Sequence, residues 1–279
     1  MNDKGWIALD IDGTITLDKY SVPEPVIQYL RELSLSGWRI ALATGRAFCF
    51  ASLALEKFDF PFILLPQNGS VALEMPAKKA LFKSYIAARL LGAVEQAFQG
   101  FDSDFVVYAG YDRGDRCYWR PHRLSPEDLQ YLEDLQKREK ETWEVVDRFD
   151  PAKIADFPLI KCFGHPHRMK ILAERLRSTG LFQVSQIRDV FHENYYILLV
   201  TDIGTSKGAS LKKVFQILGR GPQVIAAGDD ENDISLLEVA DVKIAMSHAP
   251  ETLQEIADFI APPTKEHGII RALQMVLSQ

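Results

Sequence analysis

Asp10 and Asp12 stand one residue apart, and Gly13-Thr14 follow them. A short apolar run, Trp6 to Leu9, leads into the pair and predicts a fully buried strand of a parallel sheet. In open α/β sheets ligands bind just beyond the carboxyl ends of the strands. Both carboxylates therefore belong at a strand tip. Two anions so close repel, and one is pushed toward its protonated form unless a cation shares the site. The pair asks for a metal, a shared proton, or both. An Asp-rich turn that merely ends a strand and caps a helix is the competing reading of these residues alone.

Three further strand tips carry chemistry. The apolar run Trp38 to Ala43 ends in Thr44-Gly45-Arg46, and Lys207 lies just inside a predicted helix after Gly204-Thr205. The run Val224 to Ala227 ends in Gly228-Asp229-Asp230-Glu231-Asn232-Asp233, a second acidic cluster at the same expected sheet edge. Three or four carboxylates there suit a hard cation such as Mg²⁺, which takes oxygen ligands. A hydroxyl, backbone amides near Gly45 and one lysine make an anion pocket the size of a phosphate.

The elements that must position these groups alternate strand and helix, which predicts a parallel, right-handed βαβ sheet. The first helix opens at Val22-Pro23-Glu24-Pro25 and stops at Gly37; the next unit is a helix over Ala47 to Lys57 and a strand over Phe62 to Leu65, with Asn68-Gly69 as a turn. The rhythm breaks near residue 80 and resumes near 200. Between lie short strands at Phe105 to Tyr108, Cys117 to Trp119, Ile160 to Phe163, Phe182 to Ile187 and Tyr195 to Val200, and helices over Ala87 to Phe98, Pro126 to Thr142 and Arg168 to Ser178. The expected fold is a doubly wound, Rossmann-like α/β core of residues 1–82 and 192–279, with an inserted α+β domain over 83–191. After Lys207 come a helix to Leu218, the Val224 strand, a helix to Ala240, a strand at Val242 to Met246 and two closing helices.

With 279 residues, 47% hydrophobic and 25% charged, the chain reads as a soluble globular protein with a sizeable core. A net charge of −6 argues against a general nucleic-acid partner. Cys49, Cys117 and Cys162 are scattered and odd in number, which fits a reducing compartment. The chain enters its first strand without signal-peptide character, and no apolar run is long enough to span a bilayer. A cytoplasmic location and no membrane partner are expected.

Asp-x-Asp-Gly-Thr, Ala-Thr-Gly-Arg, Ser-Lys-Gly and Gly-Asp-x-x-Asn-Asp, in this order, resemble the haloacid dehalogenase superfamily. The large insert, Pro66-Gln67-Asn68-Gly69 and Asp202-Ile203-Gly204-Thr205-Ser206-Lys207-Gly208 are similar to its Cof-type (IIB) phosphatases. The resemblance covers essentially the whole chain. It implies an Mg²⁺-dependent phosphatase acting on a small phosphorylated metabolite, with a sugar phosphate as the substrate class. It makes Asp10 the nucleophile that forms an aspartyl-phosphate and Asp12 the general acid and base. Asp10, the backbone carbonyl of Asp12, and Asp229 match the Mg²⁺ ligands, with Asp233 a supporting carboxylate. Thr44, the Gly45 amide, Lys207 and Asn232 match the groups that hold the transferring phosphoryl. The insert matches a mobile cap that closes over the site.

Ala245-Met246-Ser247-His248-Ala249 departs from the family's usual Ala-Met-Gly-Asn-Ala, so this loop is expected to differ in shape, and His248 is read as solvent-facing or packed. Arg113, Arg116, Arg120 and Arg123, interleaved with Tyr118 and Trp119, read as a solvated edge rather than an anion platform. His165-Pro166-His167 reads as an exposed loop, Arg46 as ordering its own loop through an ion pair, and the Glu133 to Glu144 run as a solvated helix face. Two rivals remain on the residues. A phosphomutase would use the same aspartates, and a phospho-acceptor domain would use an Asp cluster, Thr and Lys without needing Asp12 or the insert.

Overall fold

A computed structural model describes residues 3–139, 141–189, 192 and 194–278. The strands before the insert are β1 (Gly5–Asp10), β2 (Trp38–Ala43), β3 (Phe62–Leu65), β4 (Val71–Met75) and β5 (Lys79–Lys83). Six follow in the middle of the chain: β6 (Phe105–Tyr108), β7 (Cys117–Trp119), β8 (Trp143–Val145), β9 (Leu159–Gly164), β10 (Phe182–Arg188) and β11 (Tyr196–Asp202). The last are β12 (Val224–Gly228), β13 (Val242–Met246) and β14 (Phe259–Ala261).

The chain divides into two compact units: residues 1–46, 51–83 and 206–279, and residues 47–50 and 84–205. In the first, eight strands run in the order β14-β13-β12-β1-β2-β3-β4-β5. From β14 to β3 the pairing is parallel, and β4 and β5 add an antiparallel hairpin at one edge. The chain winds outward from β1 to β3 on one side, then returns to place β12 on the other side of β1. The strand order thus reverses between β1 and β12, the crevice where such sheets bind their ligands. Both strands are buried throughout, as strands covered on both faces must be. Trp6, Ala8, Ala41 and Ala226 share one apolar cluster with Leu211 and Val214 of helix Lys207–Leu218.

The second unit is a six-stranded sheet, β10-β11-β9-β6-β7-β8, antiparallel except for the β7–β8 pair. Helices Leu91–Ala97 and Pro166–Ser178 pack on one face through Val94, Met169, Leu172 and Leu176. Tyr131, Leu132 and Leu135 of helix Pro126–Glu139 belong to the apolar cluster on the other.

Several sequence expectations change. Strand β11 pairs with β9 and β10, so residues 192–205 belong with the second unit and the return to the first comes at Ser206 rather than at 192. An apolar run such as Tyr195 to Val200 looks alike in either sheet, and only its non-local partners decide. Strands β4, β5, β8 and β14 were not foreseen; β14 lies between the two closing helices. The charged helix ends at Glu139, and Glu141, expected on a solvated face, is buried against the Cys117 thiol at 3.2 Å. Arg120 is buried, with its guanidinium forked onto Asp104 at 2.7 Å twice and bound to Glu95 at 2.5 Å. Trp119 lies in the core, so the arginine run presents no stacking platform. His165 and His167 are exposed, as expected, but His167 lies in the first turn of helix Pro166–Ser178, with His165 at its N-cap, rather than in a loop.

Candidate active site

Each predicted group sits at a strand or helix end of the first unit. Asp10 is the last residue of β1 and Asp229 follows β12 directly. Thr44 and Gly45 follow β2, and Lys207 opens helix Lys207–Leu218, capped by the Ser206 hydroxyl accepting from Ala209 N at 3.2 Å. Asn232 and Asp233 lie in a single 3₁₀ turn, Glu231–Asp233.

The centre of the site is a buried ion network. Lys207 Nζ donates to Asp10 Oδ1 at 2.5 Å and to Asp233 Oδ1 at 2.6 Å, with the lysine side chain 1% exposed. The Asp233 Oδ2 atom accepts from the amides of Asp229 at 3.0 Å and Asp230 at 3.1 Å. Asp233 thus spends both oxygens inside the protein, one on the lysine and one on the turn. Asp10 Oδ2, by contrast, is buried with no hydrogen-bond partner among the described residues. Asp229 offers Oδ1 to the Thr14 hydroxyl and Oδ2 to His248 Nε2, both at 3.3 Å.

One oxygen from each of Asp10, Asp229 and Asp233 lies within 4.8 Å of the others. Burial first, and then the neighbouring carboxylate of Asp233, hold Asp10 and Asp229 well above the usual carboxylate range. Burial alone would lower the Lys207 ammonium, yet the charges of Asp10 and Asp233 outweigh it and raise it above its ordinary value. Three carboxylates against one ammonium leave the cluster short of positive charge. A divalent cation with oxygen ligands fits that deficit and the unpartnered Asp10 Oδ2.

Gly13 is required here on two grounds. Its φ is +80°, and a Cβ there would come within 2.1 Å of Asp229 Oδ2. Gly208, within its helix, is constrained by space alone, because a Cβ would meet the Ser235 carbonyl oxygen at 1.7 Å.

Asp12 is not part of the buried cluster. Its side chain is half-exposed and gripped by Arg46, whose Nε donates to Oδ2 at 2.8 Å and whose second terminal nitrogen donates to Oδ1. The Arg46 amide donates to Thr44 Oγ1 at 3.1 Å, which leaves the Thr44 hydroxyl hydrogen to donate elsewhere. The Asn232 amide reaches Asn68 Oδ1 at 3.5 Å. Asn68 and Gln67 both have positive φ, and their amides donate to the carbonyls of Thr44 and Arg46 at 2.8 Å each. The Asn68 turn therefore ties the Thr44 loop to Asn232. From the sequence, Asn68-Gly69 is a turn and part of the Pro66-Gln67-Asn68-Gly69 resemblance, with no site role assigned; its place at a strand tip was the available signal. The ion pair expected of Arg46 is present, but its partner, Asp12, lies on another strand's loop. His248 is exposed, in line with the solvent-facing reading, and its Nε2 is also bonded to Asp229.

The chain matches the haloacid dehalogenase-like hydrolase family over residues 7–273 and belongs to it. It is 27% identical to a phosphoglycolate phosphatase of Natronomonas pharaonis over 96% of this chain and 95% of that one. It is 22% identical to a Bacillus subtilis 5-amino-6-(5-phospho-D-ribitylamino)uracil phosphatase, over 98% and 97% of the two chains. Among solved structures, a haloacid dehalogenase-like hydrolase from B. subtilis superposes with a TM-score of 0.77 at 22% identity, covering 97% of this chain and 99% of that one. A subclass IIB sugar phosphatase superposes at 0.74 with 19% identity, covering 98% and 99%. The protein is a phosphoric monoester hydrolase of this family, acting on a phosphorylated small molecule. No described helix is long and apolar enough to cross a membrane.

Proposed function

We propose that the enzyme is an Mg²⁺-dependent phosphatase of small phosphorylated metabolites, with sugar and polyol phosphates as the substrate class, and that Asp10 is its nucleophile. The observation that carries this reading is the contrast at Asp10: Oδ1 is fixed by Lys207 while Oδ2 is buried and unpartnered at the sheet's switch point. Asp12, half-exposed and held by Arg46, suits a proton carrier better than a nucleophile.

Asp10, the Asp12 carbonyl and Asp229 would hold Mg²⁺, which when bound neutralises charge on the phosphoryl oxygens and keeps both carboxylates ionised. The Thr44 hydroxyl, the Gly45 amide, the Asn232 amide and the third N–H of Lys207 hold the phosphoryl group. An Asp10 oxygen attacks phosphorus, the ester P–O bond breaks, and Asp12 gives its proton to the departing oxygen. In the second half Asp12 takes a proton from water, the hydroxide attacks phosphorus, and the acyl-phosphate P–O bond breaks to release phosphate and restore Asp10. Asp233, both oxygens engaged, keeps Lys207 and the Asp229 turn in place.

Relatives are named for phosphoglycolate and for a ribityl phosphate, and a fold neighbour for sugar phosphates, so all three chemistries belong in the test. Phosphate release from such a panel is expected with Mg²⁺ and lost with a chelator, and turnover of at least one sugar or polyol phosphate should exceed that of phosphoglycolate. Turnover unaffected by chelation would overturn the metal assignment.

A further inference from the structure

His248 follows β13 in a turn fixed from several sides. Ser247 N donates to the Ala261 carbonyl at 3.0 Å and Ala249 N to that of Met246 at 3.0 Å. The Gln254 side-chain amide donates to the carbonyls of Ser247 at 3.2 Å and Ala249 at 2.8 Å. The imidazole is thereby delivered to Asp229, Nε2 to Oδ2 at 3.3 Å, while Thr14 holds Oδ1 from the other side. Gly13 lies against the same Oδ2, where a Cβ would collide. The Asp229 carboxylate is thus confined at both oxygens and over one face. An ionised carboxylate only accepts hydrogen bonds, so in this contact Nε2 must carry the hydrogen.

We propose that His248 is a positioning residue for the metal: its Nε2–H fixes the plane of the Asp229 carboxylate and so pre-sets one ligand oxygen for the cation. This rests on the Mg²⁺ reading above. Without the donor, Asp229 keeps Thr14 on one oxygen but can turn about the bond to its carboxylate, and ordering it again weakens binding. Partners that orient a metal ligand are typically worth about 10–100-fold in metal affinity. The imidazole is 44% exposed, so its removal leaves the apolar core untouched.

The test is calorimetric titration of Mg²⁺ into metal-stripped wild type, His248→Ala and His248→Gln, with thermal unfolding of each as the check on folding. Alanine should weaken Mg²⁺ binding about 10–100-fold, and glutamine, which carries an N–H donor at similar reach, should recover most of the loss. Alanine with wild-type affinity would overturn the proposal, and so would glutamine no better than alanine, since the donated hydrogen bond is the claim. Absence of Mg²⁺ binding by wild type would instead overturn the Mg²⁺ reading itself.

Discussion

Arg46 binds Asp12 through two nitrogens of one guanidinium, with Nε 2.8 Å from Oδ2, although 33 residues lie between them in the chain. Arg46 is 6% exposed and also donates to the Lys19 carbonyl at 2.5 Å, so its planar fork is set before substrate arrives. Asp12 is held away from the buried Asp10 cluster by this grip. The two aspartates, near twins in the sequence, occupy different electrostatic environments.

Arg46→Gln should lower kcat chiefly by misplacing Asp12. Its effect should therefore shrink in an Asp12→Asn background, because the two residues act as one unit. Steady-state kinetics of the two single variants and the double variant measure this. Full additivity would show that Arg46 acts by another route.

Asp10→Asn should abolish covalent phosphoryl transfer, since an amide cannot form the acyl phosphate. Asp12→Asn should cost about 10²–10⁴-fold, the usual worth of general acid–base catalysis. That cost should be smaller for aryl phosphates, whose leaving oxygen needs little protonation, and the phospho-enzyme should then accumulate. Trapping of labelled phosphate separates the cases. Labelling of Asp10→Asn at the wild-type level would move the nucleophile elsewhere.

Asp229→Asn removes a charged ligand but no proposed proton carrier. Its activity should be depressed at low Mg²⁺ and partly recover as Mg²⁺ is raised. An unchanged Mg²⁺ dependence would count against Asp229 as a ligand.

Burial and neighbouring carboxylates raise Asp10 and Asp229 in the folded state. A raised carboxylate stabilises the fold below its unfolded pKa, and that contribution is lost as pH climbs through the raised folded value. The metal-free protein should therefore lose stability from this pair as pH rises above the ordinary carboxylate range. Mg²⁺ binds the ionised form, so the increase in Tm that it gives should grow with pH. Melting curves with Mg²⁺ or chelator at several pH values test this, and a Tm difference independent of pH would refute it.

In the second unit, Arg120→Met leaves Asp104, 2% exposed at its side chain, without its forked partner. Breaking a buried pair from one side costs about 3–5 kcal/mol. Urea unfolding followed at Trp119, which lies near this site in sequence and is itself buried, reads the loss. A change under about 1 kcal/mol, the scale of an exposed pair, would show that the pair is solvated.

The local elements were legible because local rules make them. The ends of β2, β3 and helix Lys207–Leu218 fall where apolar periodicity and the flanking residues place them; Asp10, Thr44 and Asp229 lie at or just past the tips of β1, β2 and β12, and Lys207 at the start of its helix. The parallel core and its likeness to the haloacid dehalogenases followed from the order of those tips. Tertiary structure alone decided where the insert hands back to the core, at Ser206 rather than 192, since an apolar strand such as β11 specifies burial but not its partners. It also decided that Asp10 faces Lys207 while Asp12 faces Arg46, and that His248 reaches Asp229. Those contacts join residues 19 to 197 positions apart. Sequence spacing fixes which groups reach the strand tips, but hydrogen bonds between loops of different strands exist only once the sheet has set those loops side by side.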